Sequence, residues 1–288
     1  MSIINGKKVD TNASASAYGW VFQVGAGITL MLDNVTEFTS MKMEGKSDDI
    51  EFTLPTGKIY AQAKSVTQMG NQSTASTNLN DALRLLDSDN KNGDAIRLIY
   101  ITNIANPLSS KMASAFQYEH VYDFSTLSEV DQEKIKSKVS PDFPTDKLQI
   151  HILNFFGEGD NKFANVKVKI AEFLRDAIGD PSYSKRLLDS WFETFMVNCS
   201  DKPKEQKELT LSKNDIMLPV IILVIDPPLD ENEFNKVCDY DDYEGLVQEY
   251  RNIIDRRVCD YPYSSKSQEI FCRSETLFPT KIATSTNM

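Results

Sequence analysis

The feature that most constrains this chain is a pair of alternating segments separated by a turn. Ile50, Phe52 and Leu54 alternate with polar residues, which is the period-two pattern of a half-buried β-strand. Turn-forming residues occupy positions 55–57, and a second run, Lys-Ile-Tyr-Ala-Gln-Ala-Lys, occupies residues 58–64. The sequence therefore predicts two paired strands joined by a tight turn.

Side chains two apart on a strand share a face, so the second strand separates its residues into two sets. Gln62 and Lys64 lie on one face, and pairing of the two strands brings Asp49 close to both of them. The small side chains of Ala61 and Ala63 lie on the reverse face, where they leave room for a closely packed helix. The pairing thus predicts a carboxylate, an amide and an ammonium group side by side.

These groups suit metal-dependent hydrolysis of a phosphodiester. Asp49 offers a hard oxygen ligand to Mg²⁺, which takes one or two carboxylates and keeps several waters. The side-chain oxygen of Gln62 and the backbone carbonyl of Ala63 are expected to complete the ligands that the protein supplies. Lys64 is expected to orient or help deprotonate the attacking water and to stabilise the charge that builds on the phosphate.

Two acidic residues just before the first strand bear on the strength of this metal site. Gln62 is uncharged where many nucleases have a glutamate, so Mg²⁺ or Mn²⁺ should bind less tightly. Glu44 and Asp48 are the candidates to restore the missing charge. The alternative is that Asp49 and Lys64 are ordinary polar residues of a sheet surface, because short motifs occur by chance.

The order of these motifs resembles that of a known nuclease family. Gly19-Trp20-Val21-Phe22-Gln23 is followed by Glu44-x-x-x-Asp48-Asp49-Ile50 and then by Gln62-x-Lys64. The arrangement resembles the double-stranded-DNA endonuclease effector domain of bacterial anti-phage systems of the CBASS and Lamassu types. That domain belongs to the PD-(D/E)xK restriction-endonuclease-like superfamily, in a branch whose motif ends in Gln-x-Lys. The likeness covers about residues 13–110.

The resemblance implies a fold, an activity and partners. The fold would be α/β, a restriction-endonuclease-like core in which helices flank a mixed sheet, with a helix near residues 79–86 and a strand over 95–102. The activity would be Mg²⁺-dependent cleavage of double-stranded DNA, silent until homo-oligomerisation, a sensor or an SMC-like ATPase partner releases it. Gln23, Glu44 and Asp48 would support the metal or the substrate. The competing interpretation is a non-catalytic, nuclease-like module that serves as a scaffold in a larger complex.

A helix is also expected at the start of the chain on its own pattern. Its buried stripe, at helical spacing, would consist of Ala17, Trp20, Val21, Val24, Ile28 and Leu32. Gln23 lies off that stripe, and two interpretations of it stay open. It either points at the site or is an ordinary exposed polar residue of the helix.

The second half of the chain is expected to contain one strand and then mainly helices. Residues 148–155 have the pattern of a strand, and helical spacing dominates afterwards, including an amphipathic helix over residues 243–254. Residues 220–225 are compatible with a helix or with a strand. We therefore expect a nuclease core over residues 1–145 and a mainly helical region over residues 146–288.

Charge and residue types limit the remaining function classes. The chain of 288 residues has 42 acidic and 31 basic residues, a net charge of −11, whereas nucleic-acid binders usually present a basic face. The excess is uneven, since residues 1–110 have 9 basic and 11 acidic residues and residues 201–288 have 11 and 17. The four cysteines show no paired spacing, and no apolar run reaches the roughly 18 residues that span a membrane. These features predict a cytoplasmic protein without a zinc site or a membrane partner.

Overall fold

The computed structural model describes residues 2–4, 7–9, 14–43, 49–69, 73–112, 114–200 and 210–225. The chain divides into two compact units, Met1–Lys169 with Trp191–Lys213 and Ile170–Ser190 with Asn214–Met288. The boundary expected between residues 145 and 146 stays a prediction.

The described residues form six helices and nine strands. The helices are α1 (Ser14–Asp33), α2 (Ala75–Asn90), α3 (Glu129–Lys136), α4 (Ala164–Ile178), α5 (Ser184–Ser200) and α6 (Lys213–Ile225). The strands are β1 (Ser2–Ile4), β2 (Lys7–Val9), β3 (Ser40–Met43), β4 (Ile50–Leu54), β5 (Gly57–Lys64), β6 (Ala95–Thr102), β7 (His120–Asp123), β8 (Leu148–Ile152) and β9 (Leu211–Ser212). Short 3₁₀ turns occupy Phe124–Thr126, Thr145–Lys147 and Gly159–Phe163.

The first unit is built on a seven-stranded mixed sheet with the order β7-β8-β6-β5-β4-β3-β9. The pairs β5–β6 and β6–β8 are parallel, and the other neighbours in this sheet are antiparallel. Helices α1 and α2 both contact β5, which lies between β6 and β4 in the sheet. The predicted α/β class with a mixed sheet is therefore confirmed.

The predicted pair of strands is present as the hairpin of β4 and β5. Its register places Ile50 opposite Ala61, and Leu54 opposite Gly57 closes the turn. Gly57 has a φ of +146°, and a Cβ atom at this position would meet the Asp94 carbonyl oxygen at 2.6 Å. Only glycine fits a backbone with this φ and this close approach.

The hairpin is buried more completely than its alternating sequence predicts. Tyr60 is 1% exposed and Gln62 is 0% exposed, and both lie on the face of β5 that also carries Lys64. Tyr60 belongs to a core cluster with Leu79 and Leu83 of α2. The second face is buried because α2 covers it, and α1 contacts β5 as well. Residues 59–63 of β5 are therefore buried on both faces of the strand.

Helix α1 departs from its predicted single stripe. Val24 and Ile28 are buried as expected, but Ala17 is exposed, and residues 24–31 are all buried. Gly25 permits part of this close packing, since a Cβ atom there would lie 2.7 Å from the ring of Phe155. The helix is therefore enclosed on every side along this segment rather than packed through one stripe.

The second half of the chain also contributes a strand to the sheet. β8 lies between β6 and β7, and its residues Leu148–Ile152 end three residues earlier than the strand predicted over 148–155. Residues 220–225 are helical, as the end of α6, although Pro219 lies inside this helix. The helix predicted over residues 243–254 lies outside the described residues.

The second unit, considered by itself, is helical in its described residues. It includes the end of α4, the start of α5 and nearly all of α6. Its fully buried apolar side chains include Ile170, Leu174, Leu187 and Ile216. In the part of the chain that the structure describes, no helix has both the length and the apolar character needed to cross a membrane.

A buried histidine in β8 predicts how stability depends on pH. Burial, together with the positive charges of Lys169 and Arg97, lowers the pKa of His151 from 6.5 to about 3. Between pH 6.5 and 3 the unfolded chain binds a proton that the folded chain does not, so stability rises with pH across this window. Acidification from pH 7.5 to 5 should cost about 2 kcal/mol through this residue.

Urea unfolding at several pH values measures this dependence. In His151→Gln, the part of the pH dependence between pH 7.5 and 5 that His151 contributes should disappear. The exposed His120 supplies the matched control substitution, His120→Gln. An equal loss of stability on acidification in wild type and His151→Gln would contradict a neutral, buried His151.

Candidate active site

The structure brings Asp49 and Lys64 into contact at one end of the β4–β5 hairpin. Lys64 Nζ lies 3.1 Å from Asp49 Oδ2, and the same oxygen accepts a hydrogen bond from the Ala63 backbone N–H at 2.7 Å. The Asp49 side chain is 14% exposed and the Lys64 side chain is 26% exposed. A carboxylate and an ammonium group therefore meet in a partly enclosed position, where solvent screens their attraction less than at the surface.

The direction in which the N–H and C=O groups of Ala63 point follows from the strand register. Within one strand residue, the N–H and C=O point toward the same neighbouring strand, and Ala63 N–H points toward Asp49. β4 begins at Ile50, so the Asp49 carboxylate takes the place of a strand carbonyl opposite Ala63. The carbonyl of Ala63 consequently points to the same side as Asp49, as expected for the predicted ligand set.

Gln62 lies on the same strand but in the interior of the protein. Its side chain is fully buried, and its register partner on β6 is Tyr100, which is also fully buried. Burial raises the pKa of Tyr100, so its phenol stays neutral at physiological pH. Any ligand that Gln62 shared with Asp49 would therefore lie inside the protein rather than on its surface.

Gln23 is the one other predicted site side chain within the described residues. It is half-buried on α1. Glu44 and Asp48 lie outside the described residues, so their predicted roles stay predictions. The structure thus joins Asp49, Ala63 and Lys64 directly and places Gln62 in the adjoining interior.

Asn103 is a polar residue of this edge that the sequence interpretation missed. Its side chain is fully buried, and its Oδ1 accepts from Val66 N–H while its Nδ2 donates to Val66 C=O, both at 2.8 Å. Asn103 Nδ2 also donates to Tyr18 Oη at 3.2 Å. Asn103 therefore connects the segments that follow β5 and β6 with the first turns of α1. Its place directly after a buried apolar strand was the available sequence signal.

Two tyrosines complete the surroundings of Asn103. Tyr18 Oη donates a hydrogen bond to the Phe155 carbonyl, and Tyr118 Oη lies 3.5 Å from the Asn103 carbonyl. Burial raises the pKa of Tyr18; the Asn103 hydrogen bond opposes this shift and the nearby Tyr118 adds to it. Burial raises the pKa of Tyr118 as well. Both phenols therefore serve as neutral hydrogen-bonding groups at this edge of the sheet.

A metal ion at this site would have only a few ligands from the protein. Among the described residues, no group of three or more His, Cys, Asp or Glu side chains is placed to hold a metal. Mg²⁺ is commonly held through one or two carboxylates and retains several waters. Asp49 supplies one carboxylate, and the Ala63 carbonyl points to the same side. These residues fit a hydrated Mg²⁺, with Lys64 already neutralising part of the charge of Asp49.

Comparison with known proteins gives a distant structural likeness. No protein-family model matches the chain, and no curated protein matches it in sequence. A solved structure of the Acinetobacter baumannii Cap4 SAVED/CARF-domain containing receptor, with the cyclic trinucleotide 2'3'3'-cAAA, is similar at a TM-score of 0.43 and 14% identity. The match covers 70% of this chain and 44% of that chain, so this chain spans less than half of that length. At this TM-score the likeness carries no argument about function.

Proposed function

We propose that this chain is a metal-dependent endonuclease that cleaves double-stranded DNA, with Asp49, Gln62 and Lys64 at its active site. The observation that carries the proposal is the 3.1 Å contact between Lys64 Nζ and Asp49 Oδ2. It joins the carboxylate and the ammonium group that residue spacing predicts to be neighbours. A carboxylate ligand for a metal and a positioned ammonium group are suited to phosphodiester hydrolysis.

The order of elements around the site supports the same proposal. Helix α1 precedes the strands β3, β4 and β5, and α2 and then β6 follow them in the chain. The resemblance implies an opening helix, the strands that carry the motif, and then a helix and a strand. We therefore propose that these elements form a restriction-endonuclease-like core.

Each group has a defined role in the proposed reaction. The Asp49 carboxylate, the Gln62 side-chain oxygen and the Ala63 carbonyl would hold Mg²⁺ or, as a substitute, Mn²⁺. A bound metal of this kind supplies polarisation of the phosphate and a more acidic bound water. The Lys64 ammonium would donate a hydrogen bond to the attacking water or the phosphate and stabilise the charge that develops there. The residues retained as supports for the metal or the substrate are Gln23, Glu44 and Asp48.

The proposed biological role follows from the motif resemblance. We propose that the chain acts in the bacterial cytoplasm as the effector of an anti-phage system. Homo-oligomerisation, a sensor or an SMC-like ATPase partner would release its activity.

Cleavage of linear and supercoiled duplex DNA is the direct test of the proposed activity. The purified chain is incubated with Mg²⁺, with Mn²⁺ or with EDTA, and the products are separated on a gel. Cutting that requires the metal supports the proposal. Equal cutting in EDTA would contradict the assigned role of Asp49, because a metal would then be unnecessary.

Metal binding by itself gives a prediction that is independent of cleavage. Adding Mg²⁺ or Mn²⁺ at ten times its Kd should stabilise the folded chain by about 1.4 kcal/mol and raise its melting temperature. Asp49→Ala should show no such rise, because the carboxylate ligand is absent. Differential scanning fluorimetry with metal or EDTA measures both proteins.

An exposed aspartate supplies the control for this measurement. Asp189 pairs with Lys185 one helical turn away, and both side chains are 63% exposed. Asp189→Ala should keep the metal-dependent rise of the wild type. A wild-type melting temperature that does not respond to either metal would favour the alternative function, a non-catalytic interaction module.

A further inference from the structure

Lys162 lies at the same edge of the sheet as the proposed active site but takes no part in it. It belongs to the 3₁₀ turn Gly159–Phe163, and its Nζ lies 5.8 Å from the centre of the Tyr18 ring. Tyr18 is itself held by hydrogen bonds to the Phe155 carbonyl and to Asn103. The hydrogen bonds therefore fix the position of the Tyr18 ring, and the ammonium group of Lys162 lies over this ring.

Unlike the neighbouring lysines, Lys162 is not paired with a carboxylate among the described residues. Lys64 pairs with Asp49 at 3.1 Å, Lys167 with Asp160 at 3.8 Å and Lys169 with Asp33 at 2.8 Å. Within the described part of the chain, Lys162 has no carboxylate within 4 Å. A cation above an aromatic ring keeps its N–H donors, so the ammonium group remains able to bind an external anion.

A chain of contacts relates Lys162 to the active site. The ring under Lys162 belongs to Tyr18, and the Tyr18 hydroxyl accepts from Asn103. Asn103 in turn binds both backbone groups of Val66, two residues after Lys64. Because β5, β6 and β8 are parallel, their carboxyl ends meet at this one edge. Both lysines therefore belong to the same edge of the first unit.

We propose that Lys162 binds a backbone phosphate of the duplex DNA, outside the reacting phosphodiester. This inference rests on the proposed function, since the active site defines which ligand is present. Duplex DNA carries one charge per about 1.7 Å of its axis, so a strand held at Lys64 offers phosphates along the neighbouring surface. Lys162 is in this assignment a binding residue and not a catalytic one.

DNA binding in EDTA tests the contact without cleavage. Fluorescence anisotropy of a labelled duplex gives the Kd of wild type, Lys162→Met and Lys162→Arg over a series of NaCl concentrations. Methionine keeps an apolar stem against the Tyr18 ring and removes the charge. Loss of one phosphate contact should lower the slope of log K against log salt by about 0.9 and weaken binding about 3- to 10-fold. Lys162→Arg should restore wild-type binding.

Lys167 is the matched control, because its charge already faces Asp160. Lys167→Met should change the slope by much less than Lys162→Met. Equal affinity and slope in wild type and Lys162→Met would overturn the phosphate contact and leave the endonuclease proposal intact. A wild-type chain that binds the duplex but does not cut it with Mg²⁺ or Mn²⁺, even as an oligomer or with its releasing partner, would remove the endonuclease. In that case a reduced slope in Lys162→Met would still support the contact.

Discussion

Lys64→Ala should lose metal-dependent DNA cleavage by a factor of about 10² to 10⁴ while the protein stays folded. The expected factor is that of a lost transition-state donor or proton-transfer group. Lys64 is the ammonium group that contacts Asp49, at 3.1 Å from its Oδ2. Alanine leaves Asp49 and the Ala63 N–H in place, so the metal ligands should persist while the positioned cation disappears.

Folding and cleavage are measured on the same preparations. Lys64→Ala should show the circular dichroism spectrum of the wild type, and supercoiled DNA should stay uncut in Mg²⁺. Lys136 provides a control, because it pairs with Glu133 within α3 and is half exposed. Lys136→Ala should cleave at the wild-type rate. Full activity in Lys64→Ala would rule out the assigned role of this lysine.

Asn103→Ala should destabilise the protein by about 2–4 kcal/mol. The substitution removes three hydrogen bonds and leaves the N–H and C=O of Val66 without their partner, although Val66 is only 6% exposed. Unsatisfied buried polar groups each cost about 1–3 kcal/mol. Urea unfolding at neutral pH gives the difference in free energy of unfolding between variant and wild type.

Asn106 offers an unusually close control for this prediction. Its side chain also binds both backbone groups of a single residue, since Oδ1 accepts from Ser110 N–H at 2.8 Å and Nδ2 donates to Ser110 C=O at 3.0 Å. Water reaches this loop, because Asn106 and Ser110 are only partly buried. Asn106→Ala should therefore cost about 1 kcal/mol. Equal losses in the two variants would show that burial of Asn103 adds nothing.

The elements that surround the site were predicted in two ways. The strand over residues 95–102 that the motif resemblance implies is β6 with the same bounds, and the implied helix near 79–86 lies within α2. Turn residues and alternation together placed the β4–β5 hairpin and its contact between Asp49 and Lys64. These predictions depend on residues close in sequence, whose spacing directly fixes which side chains share a face.

Other features depend on contacts that local spacing does not contain. The choice between helix and strand for residues 220–225 stayed open, because a short apolar run suits both elements until its neighbours are placed. The burial of Tyr60 likewise depends on α2, whose Leu79 and Leu83 belong to the same core cluster. Propensity and periodicity reflect the preferences of neighbouring residues for helix or strand. The burial of a side chain depends instead on which other elements pack against it.

The sequence by itself determined the hairpin and the meeting of Asp49 with Lys64, because these follow from strand periodicity and a short turn, and the motif resemblance implied the α/β class. Only the tertiary structure decided that Asn103 connects Val66 to Tyr18, which lies 85 residues away in the chain. Hydrogen bonds over such separations depend on how helices and strands pack together. That packing arises from the whole hydrophobic core, and no short motif in the sequence records it.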